Sequence, residues 1–299
     1  MTIIWKYILG FLGLVTLTVW LVFASSGQAN LQIIACDVGQ GDAILIRQNN
    51  SQILVDAGKG NKVLDCLGKH MPFWDRQIEL VVLTHPQLDH YGGFIEVVRR
   101  YTIETFLTSG LDSQAKAFQE LKEEVNNSQA KVLRPGDNMI LRVGDIQLDI
   151  IWPSQSFLAN NQKNRESLSE NVLGLTSFES SRDPNDFSIV VNLNYGEFDA
   201  LLTGDIGPGI IDEVLAQGMI SDIEYLKVPH HGSKNGLTPD LLNASTPEVA
   251  VISSGENPWG HPHEEILHLL SQKNIRILRT DKEGEVIVET DGEKWWINN

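Results

Sequence analysis

One ten-residue run limits what this chain can fold into more than any other feature. The apolar residues Leu80-Val81-Val82-Leu83 read as a buried strand and lead directly into Thr84-His85-Pro86-Gln87-Leu88-Asp89-His90-Tyr91-Gly92-Gly93. Two imidazoles and a carboxylate within six residues at a strand end are metal-ligand chemistry. Histidine nitrogen and aspartate oxygen both suit zinc or a neighbouring divalent metal, and a loop leaving a strand can turn several side chains toward one point. The plain alternative is a polar surface turn, but matching His and Asp residues recur later in the chain.

The pattern along the chain predicts a two-part α/β protein. Residues 31–36, 43–47 and 53–55 read as strands, with a turn at Asn49-Asn50-Ser51 and a helix near residues 62–67. A helix begins after Gly92-Gly93, and residues 113–126 carry helical spacing with mixed charge. The second half repeats the logic. Residues 140–143 and 146–150 frame a Gly144-Asp145 hairpin, and 188–193 and 199–202 frame another that ends at Asp205. A helix after His263 and strands at 275–278 and 285–288 complete it. Residues 43–58 and 188–207 share one form, strand, turn, strand, then Asp near Gly, as expected of two halves with a sheet each. The polar stretch 154–183 is expected to be a flap or a solvated insertion near the cleft.

Residues 1–30 read as a separate segment. Lys6 precedes a largely apolar run from Tyr7 to Ala24, about long enough to cross a bilayer as a helix. An uncleaved anchor and a signal peptide both fit, with small residues at Val22-Phe23-Ala24 and Gly27-Gln28-Ala29 offering cleavage points. Lys6 on the amino side places the N-terminus in the cytoplasm and residues 31–299 outside it, single-pass or secreted. The formal net charge of −16 disfavours non-specific binding of nucleic acid, which depends on Lys and Arg displacing counterions. A polyanionic substrate would have to be held locally, by metal. The two cysteines could bridge in an exported protein, but Cys36 lies in an apolar strand, where a buried free thiol is the more common state and the one expected.

The His85 segment resembles the H-x-H-x-D-H motif of the metallo-β-lactamase superfamily. Asp37-Val38-Gly39-Gln40-Gly41-Asp42-Ala43, Leu54-Val55-Asp56-Ala57-Gly58, Leu201-Leu202-Thr203-Gly204-Asp205, Lys227-Val228-Pro229-His230-His231-Gly232-Ser233 and Gly260-His261-Pro262-His263 further resemble the hydrolase domain of ComEC-type competence proteins. The likeness runs from about residue 31 to the C-terminus. It implies an αβ/βα sandwich with ligands gathered along one edge.

The resemblance also implies roles. His85 would ligate a first metal, Asp89 and His90 a second, and Asp205 would bridge them. A buried carboxylate at that strand end is costly without a cation. One of His230 and His231 would complete the second site, His231 aligning better. Asp89 and His261 are the expected catalytic residues, His261 meeting the leaving group or a phosphate. Asp37, Asp56, Asn185, Ser188 and Ser233 would back the ligands or meet substrate, with Asn185 and Ser188 matching an Asn-x-x-Ser element. His70, His263 and His268 are left as structural. Gln87 departs from the pattern by placing an amide where the superfamily has His, and an amide oxygen suits manganese, magnesium or calcium better than zinc. One tight and one weaker site, for zinc or manganese, are therefore expected.

The function these features imply is an exported, metal-dependent phosphodiesterase or nuclease, acting on DNA beside or apart from an uptake channel. Two alternatives stay open: a catalytically weak accessory domain that binds DNA or a partner, and a lactonase or β-lactamase-like hydrolase of small acyl substrates.

Overall fold

The computed structural model describes residues 3–25, 30–163 and 178–298. An N-terminal helix, α1 (Ile3–Ser25), precedes β1 (Leu31–Ala35), β2 (Ile44–Gln48) and β3 (Ser51–Val55), a meander in which a loop over 36–43 joins β1 to β2 and a tight turn joins β2 to β3. Helix α2 (Lys62–His70) crosses to β4 (Gln77–Leu83), α3 (Leu88–Tyr91) and α4 (Phe94–Arg100) cross to β5 (Thr102–Thr108), and α5 (Lys116–Ser128) crosses to β6 (Lys131–Leu133). Strands β3 to β6 are parallel. The Leu80–Leu83 part of β4 is buried throughout, because helices cover one face of the sheet and a second sheet covers the other.

The second sheet starts with the hairpin β7 (Met139–Val143) and β8 (Ile146–Trp152), followed by the short helix α6 (Gln155–Asn161). It continues through β9 (Val190–Tyr195), β10 (Phe198–Leu202), α7 (Pro208–Ala216), β11 (Tyr225–Lys227), α8 (Pro239–Ser245), β12 (Val249–Ile252), α9 (Glu264–Gln272) and β13 (Arg276–Arg279). After α10 (Thr280–Glu283), β14 (Val286–Thr290) and β15 (Trp295–Ile297) return to the first sheet, where β14 pairs with β1. The sheet orders are β15-β14-β1-β2-β3-β4-β5-β6 and β13-β12-β11-β10-β9-β8-β7.

Three apolar clusters hold the layers. One lies between the sheets, with Ile33, Ile46, Val82, Leu148, Val191 and Val251 among its members. A second packs α2, α4 and α5 on the first sheet through Leu67, Phe94 and Phe118, and a third packs α7, α8 and α9 on the second through Ile211, Leu241 and Leu270. The expected αβ/βα sandwich is therefore the observed one. Strands β1, β3 and β4 point the same way, as do β10, β11, β12 and β13. The loops that leave their carboxyl ends supply the polar groups described below, as is usual in open α/β sheets.

Three expectations change. Cys36 and Cys66 form a disulfide with Cα atoms 5.9 Å apart. The buried face of α2 carries Val63, Cys66 and Leu67 and lays Cys66 on Cys36 at the end of β1, which the apolar setting of Cys36 alone does not reveal. Among the described residues no helix is long and apolar enough to cross a membrane. The expected anchor is therefore not borne out. The cleavage point at Gly27-Gln28-Ala29 lies outside the described residues. The flap expected over 154–183 is partly core, since Phe157, Leu158 and Phe178 are buried; its residues 164–177 lie outside the described residues.

Candidate metal centre

His85 follows β4 after one residue, and His90 lies on α3 within the same crossover. Asp205 follows β10, and His231 lies in a 3-10 turn (Pro229–Gly232) after β11. All four side chains are buried. The Nε2 atoms of His85, His90 and His231 are buried with no hydrogen-bond partner. Those of His90 and His231 each lie 3.3 Å from Asp205 Oδ2. Asp89 Oδ2 is 3.6 Å from His231 Nε2. His85, His90 and Asp205 hold their ligand atoms within 4.8 Å of one another, and so do Asp89, His90 and His231. Orphaned nitrogens in the interior are costly, and divalent metal held by these two groups, which share His90, would satisfy them. The residues present thus fit a metal, and His231, rather than His230, joins the set.

The opposite nitrogens fix the tautomers. His90 Nδ1 lies 2.7 Å from Asp56 Oδ2, and His231 Nδ1 lies 2.9 Å from the Ser253 carbonyl; both are acceptors that demand an N–H. Thr84 Oγ1 donates to Asp56 Oδ2 at 2.7 Å and so accepts from His85 Nδ1 at 3.0 Å. Ser188 Oγ, 3.2 Å from the same nitrogen, accepts from the Asp205 amide. Each ring thus turns its Nε2 inward, as in carboxylate- and carbonyl-backed metal sites. Burial and the neighbouring His90 push His85 well below the usual imidazole range. For His90 and His231 burial also acts downward, but Asp205, with Asp56 or Asp42, holds both well above it.

Two residues that the motif reading left aside sit in the cluster. Asp42 is buried, with Oδ1 3.3 Å from His231 Nδ1. Lys227, the last residue of β11, is 1% exposed and pairs with Asp42. Its Nζ donates to the Gly204 carbonyl at 3.0 Å and lies 3.4 Å from Asp205 Oδ1. Burial opposes the charges, yet the partners win: Lys227 is held above, and Asp42 and Asp205 below, their ordinary values. A lysine inside the apolar run Tyr225-Leu226-Lys227-Val228 was the available signal, because a buried charge requires a partner.

The other candidates divide. Asp37 stands apart from the cluster: it is exposed, accepts from the Gly39 amide and faces Lys62 at 4.0 Å. Ser233 braces its own turn by accepting from the Asn235 amide at 3.3 Å. Gln87 Nε2 donates to Asn185 Oδ1 at 2.6 Å. A cavity of about 220 Å³ over the cluster is lined by Gln40, Gln87, Asp89, Asp205, His230, His231, Trp259 and His261. A further grouping of Cys66, His70 and Glu285 cannot ligate through sulfur, since Cys66 is consumed in the disulfide.

Two helix-covered sheets that turn imidazoles and carboxylates toward a shared edge define a protein of the metal-dependent-hydrolase fold class. The model of the Metallo-beta-lactamase superfamily matches residues 36–256, and the chain belongs to that superfamily. Among curated proteins it is similar to ComE operon protein 3 of Bacillus subtilis, 25% identical over 277 residues, which covers 84% of this chain and 32% of that protein. Recombination protein 2 of Haemophilus influenzae is 26% identical over 275 residues, covering 90% and 30%. Competence protein ComA of Neisseria gonorrhoeae is 25% identical over 254 residues, covering 83% and 30%. The chain is thus related to competence proteins and spans about a third of their length. Of solved structures, the metallo-beta-lactamase fold protein YhfI from Bacillus subtilis aligns with TM-score 0.53 at 11% identity, covering 87% of this chain and 100% of that one. CmlA, a diiron beta-hydroxylase from Streptomyces venezuelae, aligns with TM-score 0.53 at 12% identity, covering 89% and 55%. At these identities the likeness shows the fold.

Proposed function

We propose that the chain is a metal-dependent phosphodiesterase acting on nucleic acid outside the cytoplasm, in a DNA-uptake setting. The observation that carries the reading is the convergence of three partnerless Nε2 atoms with Asp205 and Asp89 at an open cavity. Zinc or manganese held by His85, His90, Asp205, His231 and Asp89 would supply Lewis acidity to a phosphoryl group. Asp56, Thr84 and Ser188 keep the first two rings aimed, and the Ser253 carbonyl aims the third. Burial lowers His230 and His261, so each meets substrate as a neutral imidazole able to give or take one hydrogen bond. The names of the curated relatives support the uptake setting, and the Cys36–Cys66 disulfide supports an oxidising compartment, with α1 as anchor or leader.

The weaker first site is part of the same reading. The bond from Gln87 to Asn185 occupies the amide nitrogen where an imidazole would complete a first site. That bond also favours the accessory reading, in which metal is bound without turnover. Hydrolysis of bis(4-nitrophenyl) phosphate by purified protein with added manganese or zinc, abolished in Asp205→Ala, is the expected result. Bound metal with no turnover of any phosphodiester refutes the enzyme and leaves the accessory domain.

A further inference from the structure

The rim of the cavity carries one large aromatic side chain that the ligand set does not use. Trp259, in the loop between β12 and α9, is 63% exposed and lines the same cavity as Asp89, Asp205 and His231. Its loop is held rather than loose. Asn257 Oδ1 accepts from the amides of Trp259 at 3.1 Å and His261 at 2.9 Å, and Asn257 Nδ2 donates to the carbonyls of Gly255 at 2.8 Å and His261 at 2.7 Å. The Gly255 amide donates to Gln40 Oε1 at 3.3 Å, and a Cβ at position 255 would fall 2.4 Å from the Gly39 carbonyl carbon. The loop is therefore pressed against the loop that leaves β1. Rings then run inward from the rim: Trp259 to His261 at 6.2 Å and 30° between planes, His261 to His230 at 5.6 Å, and His230 to the ligand His231 at 6.2 Å.

The charge of the chain decides what such a surface can hold. With a net charge of −16 and no Lys or Arg among the residues that line the cavity, the counterion-release contribution that dominates ordinary nucleic-acid binding is small there. Affinity must come from the metal and from contacts indifferent to charge. Stacking of a base on an aromatic side chain is such a contact; it tolerates any base and changes affinity by roughly 5- to 150-fold per base. A duplex hides its base faces, whereas a single strand presents them.

We propose that Trp259 is the platform of a nucleobase subsite, which stacks one base of a single-stranded polynucleotide while the adjoining phosphate lies at the metal centre. The subsite rests on the phosphodiesterase reading and adds to it the strandedness of the substrate. The test is equilibrium binding, by fluorescence anisotropy, of manganese-loaded full chain to two probes of equal length. One is an oligothymidylate with hydrolysis-resistant phosphorothioate links; the other has the same links and abasic sugars. Wild type should prefer the base-bearing probe. Trp259→Ala should lose roughly tenfold or more on that probe and nothing on the abasic one, and Trp259→Phe should stay within about threefold of wild type. The salt slope should be shallow. Equal binding of both probes by wild type, binding of neither, or an unchanged oligothymidylate affinity in Trp259→Ala overturns the subsite. Turnover of bis(4-nitrophenyl) phosphate, measured alongside, reports separately on the phosphodiesterase reading.

Discussion

Lys227 places a positive charge against Asp42 and Asp205 before any metal arrives, and so settles part of the repulsion among carboxylates in the interior. Lys227→Met would leave those acids buried with one cation fewer, and the metal-free protein should lose about 3–5 kcal/mol in urea unfolding. A change under about 1 kcal/mol would show that the lysine is not paired as described. Asp56→Asn removes the carboxylate that fixes His90, and competition with a chelator should show metal affinity about 10- to 100-fold weaker. Without metal, His90 and His231 sit above the ordinary imidazole value and hold protons that a cation must displace. Metal affinity should therefore rise with pH until those groups have titrated, and fall in acid. Calorimetry in buffers of different ionisation heat should register proton release on binding; none released would refute the linkage. The candidate ligands were legible because His85, Asp89, His90 and Asp205 stand near strand ends in a recognisable motif. Asp42 was not separable from Asp37 in sequence. What selects it is the backbone at Gly41, at φ +132°, where a Cβ would lie 2.2 Å from the Asp89 carbonyl oxygen, together with the Asp42 amide donating to that same oxygen at 3.2 Å.

Helix α2 is tied to the first sheet by the Cys36–Cys66 bond, which closes a loop with a sequence separation of 30. Cross-linking a loop of that size restricts the unfolded chain by about 3–4 kcal/mol in the chain-entropy account. Cys36→Ala/Cys66→Ser should accordingly lower the urea midpoint by a corresponding amount, and a variant as stable as wild type would show that the bond does not form. Strand and hairpin positions were readable from alternation and from turn residues such as Gly144-Asp145, because those signals are local. Pairings that join distant segments were not. The buried face of α2 becomes visible only when the helix is laid on β1. The aromatic residues Phe157 and Phe178 looked like parts of a polar insertion because each stands almost alone among polar neighbours, and the partner that buries both, Phe187, follows later in the chain.

At the scale of the whole molecule, the metal centre is a joint between two sheets. His85 and His90 come from the first, Asp205 and His231 from the second, and a large apolar cluster fills the space between the sheets. Hydrogen exchange should therefore slow on metal loading in the loops after β4, β10 and β11 together; protection confined to one sheet's loops would contradict a shared centre. Protease added to intact spheroplasts should degrade residues 31–299 if they lie outside the cytoplasm, and a protected domain would refute that placement. The direction of the strands has one more consequence. Helix α1 arrives at the amino end of β1, whereas the cluster lies past the carboxyl ends of β1, β3 and β4. Seven residues of β4 at about 3.3 Å each make roughly 23 Å of strand between those two edges. The chain thus enters the first sheet at one edge while the cavity opens at the other, so whatever is joined ahead of residue 30 reaches the sheet at the end of the strands opposite the cluster.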